Sequence, residues 1–183
     1  MAAGGRLDRL GRAHVDGWLF AAGGLGLQVA LFDPPLDAST WAQAYGPVLY
    51  LISLLVIAGV LIWNGRKHGR NFEGLALVVA AAGVLLNCLV ITANGGYMPR
   101  AAVSGHAPVS DPAQAGRLVN VTPMTDDTRL AWLGDVLPEP TGLPLSNVLS
   151  LGDALLSAGL GAWAFAVTTS GSRTRQSAHV ATG

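Results

Sequence analysis

Tyr45 to Trp63 reads YGPVLYLISLLVIAGVLIW, and Gly74 to Ala93 reads GLALVVAAAGVLLNCLVITA. Neither stretch holds a charge, and each has the ~20 apolar residues that a membrane-crossing helix needs. Backbone amides in lipid must be satisfied within the segment, so such runs are helices. Asn147 to Thr168, NVLSLGDALLSAGLGAWAFAVT, is a third candidate and carries one acid, Asp153. Gly17 to Phe32, GWLFAAGGLGLQVALF, is a fourth. It reaches spanning length when Val15 and Asp16 join it, with Asp16 at headgroup level.

The composition agrees with this reading. Of 183 residues 51% are hydrophobic and 12% charged, about half the usual charged share of a soluble domain. Mean hydropathy is +0.44. The formal net charge is zero, without the basic surplus of a nucleic-acid binder. A single cysteine, Cys88, excludes an internal disulfide framework and a cysteine zinc cage. Met1 to Val15 is polar and is not read as a signal peptide.

Charge placement predicts orientation. Arg6, Arg9 and Arg12 precede the first span. Arg66, Lys67 and Arg70 lie between the second and third, and Arg173 and Arg175 follow the fourth. Arg100, Arg117 and Arg129 lie in the long 94–146 connection, among five acids. The positive-inside rule then puts both termini in the cytoplasm and the 94–146 loop outside. Within that loop Asp127 or Thr128 is a candidate N-cap for a short helix from Arg129 to Leu137. Leu130, Leu133 and Leu137 would share its apolar face, as on an interfacial helix or a lid.

Four short motifs occur in order along the chain. Gly4-Gly5-Arg6-Leu7 precedes the Gly17-Trp18 helix, and Asn94-Gly95-Gly96-Tyr97-Met98-Pro99 ends the third span. Leu130 to Val136 reads LAWLGDV, and Ser146 to Asp153 reads SNVLSLGD. In this the chain resembles the bacterial membrane family known as domain of unknown function 5317. The likeness covers most of Gly4 to Phe165. It implies a membrane fold and no particular activity, since none is established for the family.

Ionisable groups within a span default to functional candidates. Asp153 lies six residues into its span, about 9 Å along a helix. Asn87 lies six residues before the outer end of the third span, at matching depth. Gln28, Ser53 and Ser150 fall in the same outer half. These five residues form the candidate polar site. Packing glue between helices is the favoured role, and a proton or ligand site is the alternative. His14, His68, His106 and His179 all avoid the span centres, which argues against a buried haem. No catalytic, nucleotide-binding or metal motif occurs, so no catalytic residue, metal ligand or cofactor is expected.

The sequence therefore predicts an all-α integral membrane protein. Residues 1–183 form one transmembrane domain, a four-helix antiparallel bundle with spans at 15–32, 45–63, 74–93 and 147–168. The extracytoplasmic loop 94–146 carries the interfacial helix. The expected setting is the bacterial plasma membrane. The expected partners are the lipid bilayer and other membrane-protein subunits, with no nucleic acid. The expected role is that of a non-enzymatic accessory or interaction subunit. A small transporter or membrane enzyme built on Asp153 is the alternative.

Overall fold

The structure is a computed structural model. It describes residues 8–11, 13–106, 109, 111–113, 115–140, 142 and 147–169. The Gly4–Leu7 motif, Arg6, Arg12, Ser146, Arg173, Arg175 and His179 lie outside these residues.

Four long helices carry the chain: α1 (Trp18–Phe32), α2 (Thr40–His68), α3 (Phe72–Ala93) and α4 (Leu151–Thr169). Their ends follow local chemistry. Ser39 Oγ accepts from the Ala42 amide and starts α2; Asn71 Oδ1 accepts from the Gly74 amide and starts α3. Each thereby satisfies one of the orphan amides of a first turn. Arg66, Lys67 and His68 occupy the last turn of α2, where cations suit the helix dipole. Gly69, at φ 70°, ends that helix. Pro34 and Pro35 stop α1 from continuing beyond Asp33.

The helices α2, α3 and α4 are long and apolar enough to cross a membrane; α1 is apolar and shorter, at 15 residues. They pack in chain order, α1 on α2, α2 on α3 and α3 on α4. The central helix α3 is the most enclosed of the three long ones. Ala58 and Leu61 of α2 meet Leu77, Ala80, Ala81 and Val84 of α3 in the main apolar cluster, with Cys88 also buried there. Large apolar side chains such as Phe20, Ile52, Leu75 and Phe165 stay exposed on the outward faces.

Glycines bring α3 and α4 together. A Cβ on Gly159 would lie 2.5 Å from the Ala80 nitrogen and 2.6 Å from the Ala76 oxygen. A Cβ on Gly83 would lie 2.6 Å from the Leu156 nitrogen. These helices touch backbone to backbone, the arrangement that small residues permit in membranes. Ala76 and Ala80 of α3 sit in this contact, whereas Gly26 and Gly161 face open space.

Besides the helices the chain forms a four-stranded sheet. The strands are β1 (Met98–Arg100), β2 (Val121–Pro123), β3 (Asp135–Pro138) and β4 (Val148–Ser150), in the order β2-β1-β3-β4. β1 runs parallel to both β2 and β3, and β3 runs antiparallel to β4. This sheet replaces two expectations. The interfacial helix over Arg129–Leu137 does not form, and α4 begins at Leu151 because Val148–Ser150 is strand. Leu130 takes a left-handed conformation, φ 53°. A short 3-10 turn over Ala131–Leu133 follows, and Gly134 then extends into β3. A Cβ on Gly134 would lie 2.5 Å from the Pro99 oxygen, so a bare backbone is needed where β3 meets β1. Leu133 alone of the three leucines is fully buried, beside Val90, Ile91 and Met98. This cluster seals the sheet onto α3.

Gly159→Leu drives a side chain into the α3 backbone, which cannot move aside as a flexible side chain would. It should lower stability by about 3 kcal/mol in thermal unfolding of the detergent-solubilised protein. Gly161→Ala, facing open space, should change it by less than about 0.5 kcal/mol.

Candidate functional site

The sheet and the helices meet in a polar junction whose placement follows from strand register. β1 pairs Arg100 with Asp135, and β3 pairs Asp135 with Ser150. Paired residues project from one face of a sheet. Arg100, Asp135 and Ser150 thus form a row, and its last member is also the residue before α4.

Ser150 caps that helix. Its Oγ accepts from the Asp153 amide at 2.9 Å, and Asp153 Oδ2 accepts from the Ser150 amide at 3.0 Å. Two donors that the first turn would leave bare are satisfied reciprocally, as in a capping box. Asn87 of α3 completes the lock. Its Nδ2 donates to Asp153 Oδ1 at 2.8 Å, and its Oδ1 accepts from Ser150 Oγ at 2.8 Å. Gly152 makes room for Asn87, because a Cβ there would strike the amide oxygen. Both oxygens of Asp153 and both ends of Asn87 are committed to partners within the chain.

The other two residues of the sequence-derived site stand apart. Gln28 of α1 donates to Ser53 Oγ at 2.9 Å, and Ser53 donates to the Tyr50 carbonyl at 2.6 Å. The five residues therefore divide into an α1–α2 couple and an α3–α4 triad. No hydrogen bond joins the two sets among the described residues. Tyr50 lies nearer the junction, its hydroxyl paired with the Asn120 side chain.

Sequence reasoning missed the buried ion pair beside the triad. Arg100 Nε donates to Asp135 Oδ2 at 3.1 Å, and the Asp135 side chain is 6% exposed. Burial pushes the Asp135 carboxyl up to about 6. The Arg100 guanidinium pulls it down, and the Asp153 charge adds to the rise. Nothing in the sequence separates Asp135 from the solvated acids around it, because its burial depends on two strand pairings distant along the chain. Asn64 was missed as well. Buried at the opposite end of α2, it accepts from the Asp16 amide at 2.9 Å and donates to the Asp16 carbonyl at 2.8 Å. Lys67 and His14 both pair with the Asp16 carboxylate. Its position after Trp63, where the apolar run ends, is the available signal.

Among the described residues no group of three or more His, Cys, Asp or Glu is placed to hold a metal ion. The triad is built for geometry. It fixes where α4 begins and which face of α4 meets α3.

Asp135 titrates at a higher pH when folded than when unfolded, so its contribution to stability is present in acid. That contribution fades as pH rises from about 4 through about 6. A shift from 3.8 to about 6 corresponds to at most about 3 kcal/mol. Asp135→Asn removes the titration. The difference in unfolding temperature between wild type and Asp135→Asn should therefore move in favour of the variant between pH 4 and 7. A difference that is constant with pH would exclude a raised Asp135.

No curated protein and no solved structure matches the chain. Residues 15–165 match the family of unknown function DUF5317. The match takes in all four helices up to Phe165 of α4, the sheet and the junction. The chain belongs to this family.

Proposed function

We propose that the protein is a bacterial plasma-membrane protein acting as a non-enzymatic accessory or interaction subunit. Its four helices lie in the bilayer and both termini face the cytoplasm. The observation that supports this reading is the closed state of Asp153. A proton relay or a cation site needs a carboxylate able to exchange partners, and both oxygens here are held by the Ser150 amide and the Asn87 side chain. Packing of the helices in a row leaves broad apolar faces on α1 and α2, open to lipid or to the helices of another subunit. The sheet caps the extracytoplasmic end, and the Arg66–Arg70 segment faces the cytoplasm.

Blue-native electrophoresis of native membranes in mild detergent tests the subunit role. The protein should migrate in an assembly with a different chain; migration only as its own monomer would overturn the reading. Asp153→Asn separates the role from transport or catalysis at Asp153. The variant should reach normal membrane levels and keep its place in the assembly, with a loss of about 1–3 kcal/mol because one oxygen that accepts an N–H becomes an NH2. Loss of the cellular phenotype at normal protein level would favour the transporter or enzyme reading. For orientation, in a Cys88→Ala background a cysteine at Asp126 should be labelled by an impermeant reagent in intact cells. One at Gly69 should not, and the reverse pattern would invert the topology.

A further inference from the structure

Arg100 has a second side. Asp135 takes its Nε, but a guanidinium has five N–H donors in a rigid fork. Among the described residues the two Nη groups have no hydrogen-bond partner. The Arg100 side chain is 18% exposed, and with Pro123 at the end of β2 it lines a cavity of about 430 Å³. The tether to Asp135 fixes the plane of the fork, so its remaining donors are already ordered before any ligand arrives.

Ser104 and His106 also line this cavity. His106 is held in place by the Glu139 carbonyl, 3.1 Å from its Nε2. The wall is mixed, with Val103, Val109 and Met124 among its apolar members. A concavity of some hundreds of Å³ that sets a guanidinium beside apolar side chains has the size of a small-molecule site. The volume has room for more than a single water.

We propose that this cavity binds a small organic carboxylate, its head on the outer fork of Arg100 and its aliphatic body along the apolar members of the wall. Charge decides between acids. One guanidinium serves the site, and the Asp135 carboxylate already answers part of its charge. A monoanion therefore suits the site better than a phosphate dianion. Carboxylate and guanidinium also match in geometry, giving two parallel N–H···O bonds. The carboxylate can come from the aqueous phase as a short-chain acid or from the bilayer as a fatty acid. This inference is independent of the subunit role proposed above.

Equilibrium dialysis of the purified full chain in nanodiscs tests it, with hexanoate as the soluble probe. Palmitate carried in the disc lipid, read by crosslinking, is the bilayer-borne probe. Hexan-1-ol and inorganic phosphate are the controls. Hexanoate should bind saturably, hexanol and phosphate should not compete, and Arg100→Gln should weaken binding about tenfold or more. Because Arg100→Gln also strips Asp135 of its partner, Ala102→Trp is the second variant. It fills the cavity from the rim, leaves the ion pair intact, and should abolish binding with an unchanged unfolding temperature. Saturation by palmitate alone would assign the acid to the bilayer. The proposal is overturned if neither acid saturates, if hexanol competes as well as hexanoate, or if the folded Ala102→Trp protein binds as wild type does.

Discussion

The reciprocal pairing of Ser150 and Asp153 sets the geometry of this protein. An apolar helix has no sequence signal that tells it where to begin, since every residue of the run is equally content in lipid. The capping box supplies that signal. With Ser150 as the cap, the residues before it are released to pair with β3, and α4 starts one residue past the sheet. Asn87 then reads both members of the box, so α4 can sit at only one height against α3. A slip of one residue along α4 would leave an amide, a hydroxyl and a carboxylate without partners. Each such loss costs about 1–3 kcal/mol or more in a buried setting.

Below the junction the glycines hold the same register by shape. Gly83, Gly152 and Gly159 let the two backbones approach so closely that few other side chains would fit. Dispersion between closely packed surfaces is then the main attraction, because lipid offers no hydrophobic drive for helices to associate. Polar lock and steric contact reinforce one another: the lock chooses the register and the glycines make it tight. The α1–α2 contact repeats the device on a smaller scale. Gly24 lies against the Ser53 backbone, and Gln28 reaches the Ser53 hydroxyl one turn away.

The sequence was most informative where one period governs a long run. The three long helices lie where their apolar stretches put them, and the depth argument that matched Asn87 with Asp153 describes two side chains 2.8 Å apart. It was least informative over residues 94–150. Strands of three or four residues are too short to show alternation, and parallel pairing between β1 and β3 joins segments 35 residues apart. Leu130, Leu133 and Leu137 have helical spacing by coincidence. A left-handed Leu130 and an extended Gly134 break the run, and neither is visible in a hydrophobic pattern. Asp153 gains from the structure a role that the apolar pattern does not display. An acid in an apolar run reads as an expensive ion, and three residues after Ser150 it is also the second half of a cap.

That shift of context changes how the remaining charges must be understood. Asp153, Asp135 and Arg100 form a chain of two acids and one base across the end of the helices. Asp153 takes its partners from the Ser150 amide and the Asn87 side chain, beside the positive end of α4. The arginine is left to Asp135, which needs only part of it. A guanidinium half committed inside and half presented to a cavity follows from that division. The cap that positions α4 and the ion pair that holds Arg100 thus lie in one row of the sheet, which joins the helix junction to the cavity proposed above as a carboxylate site.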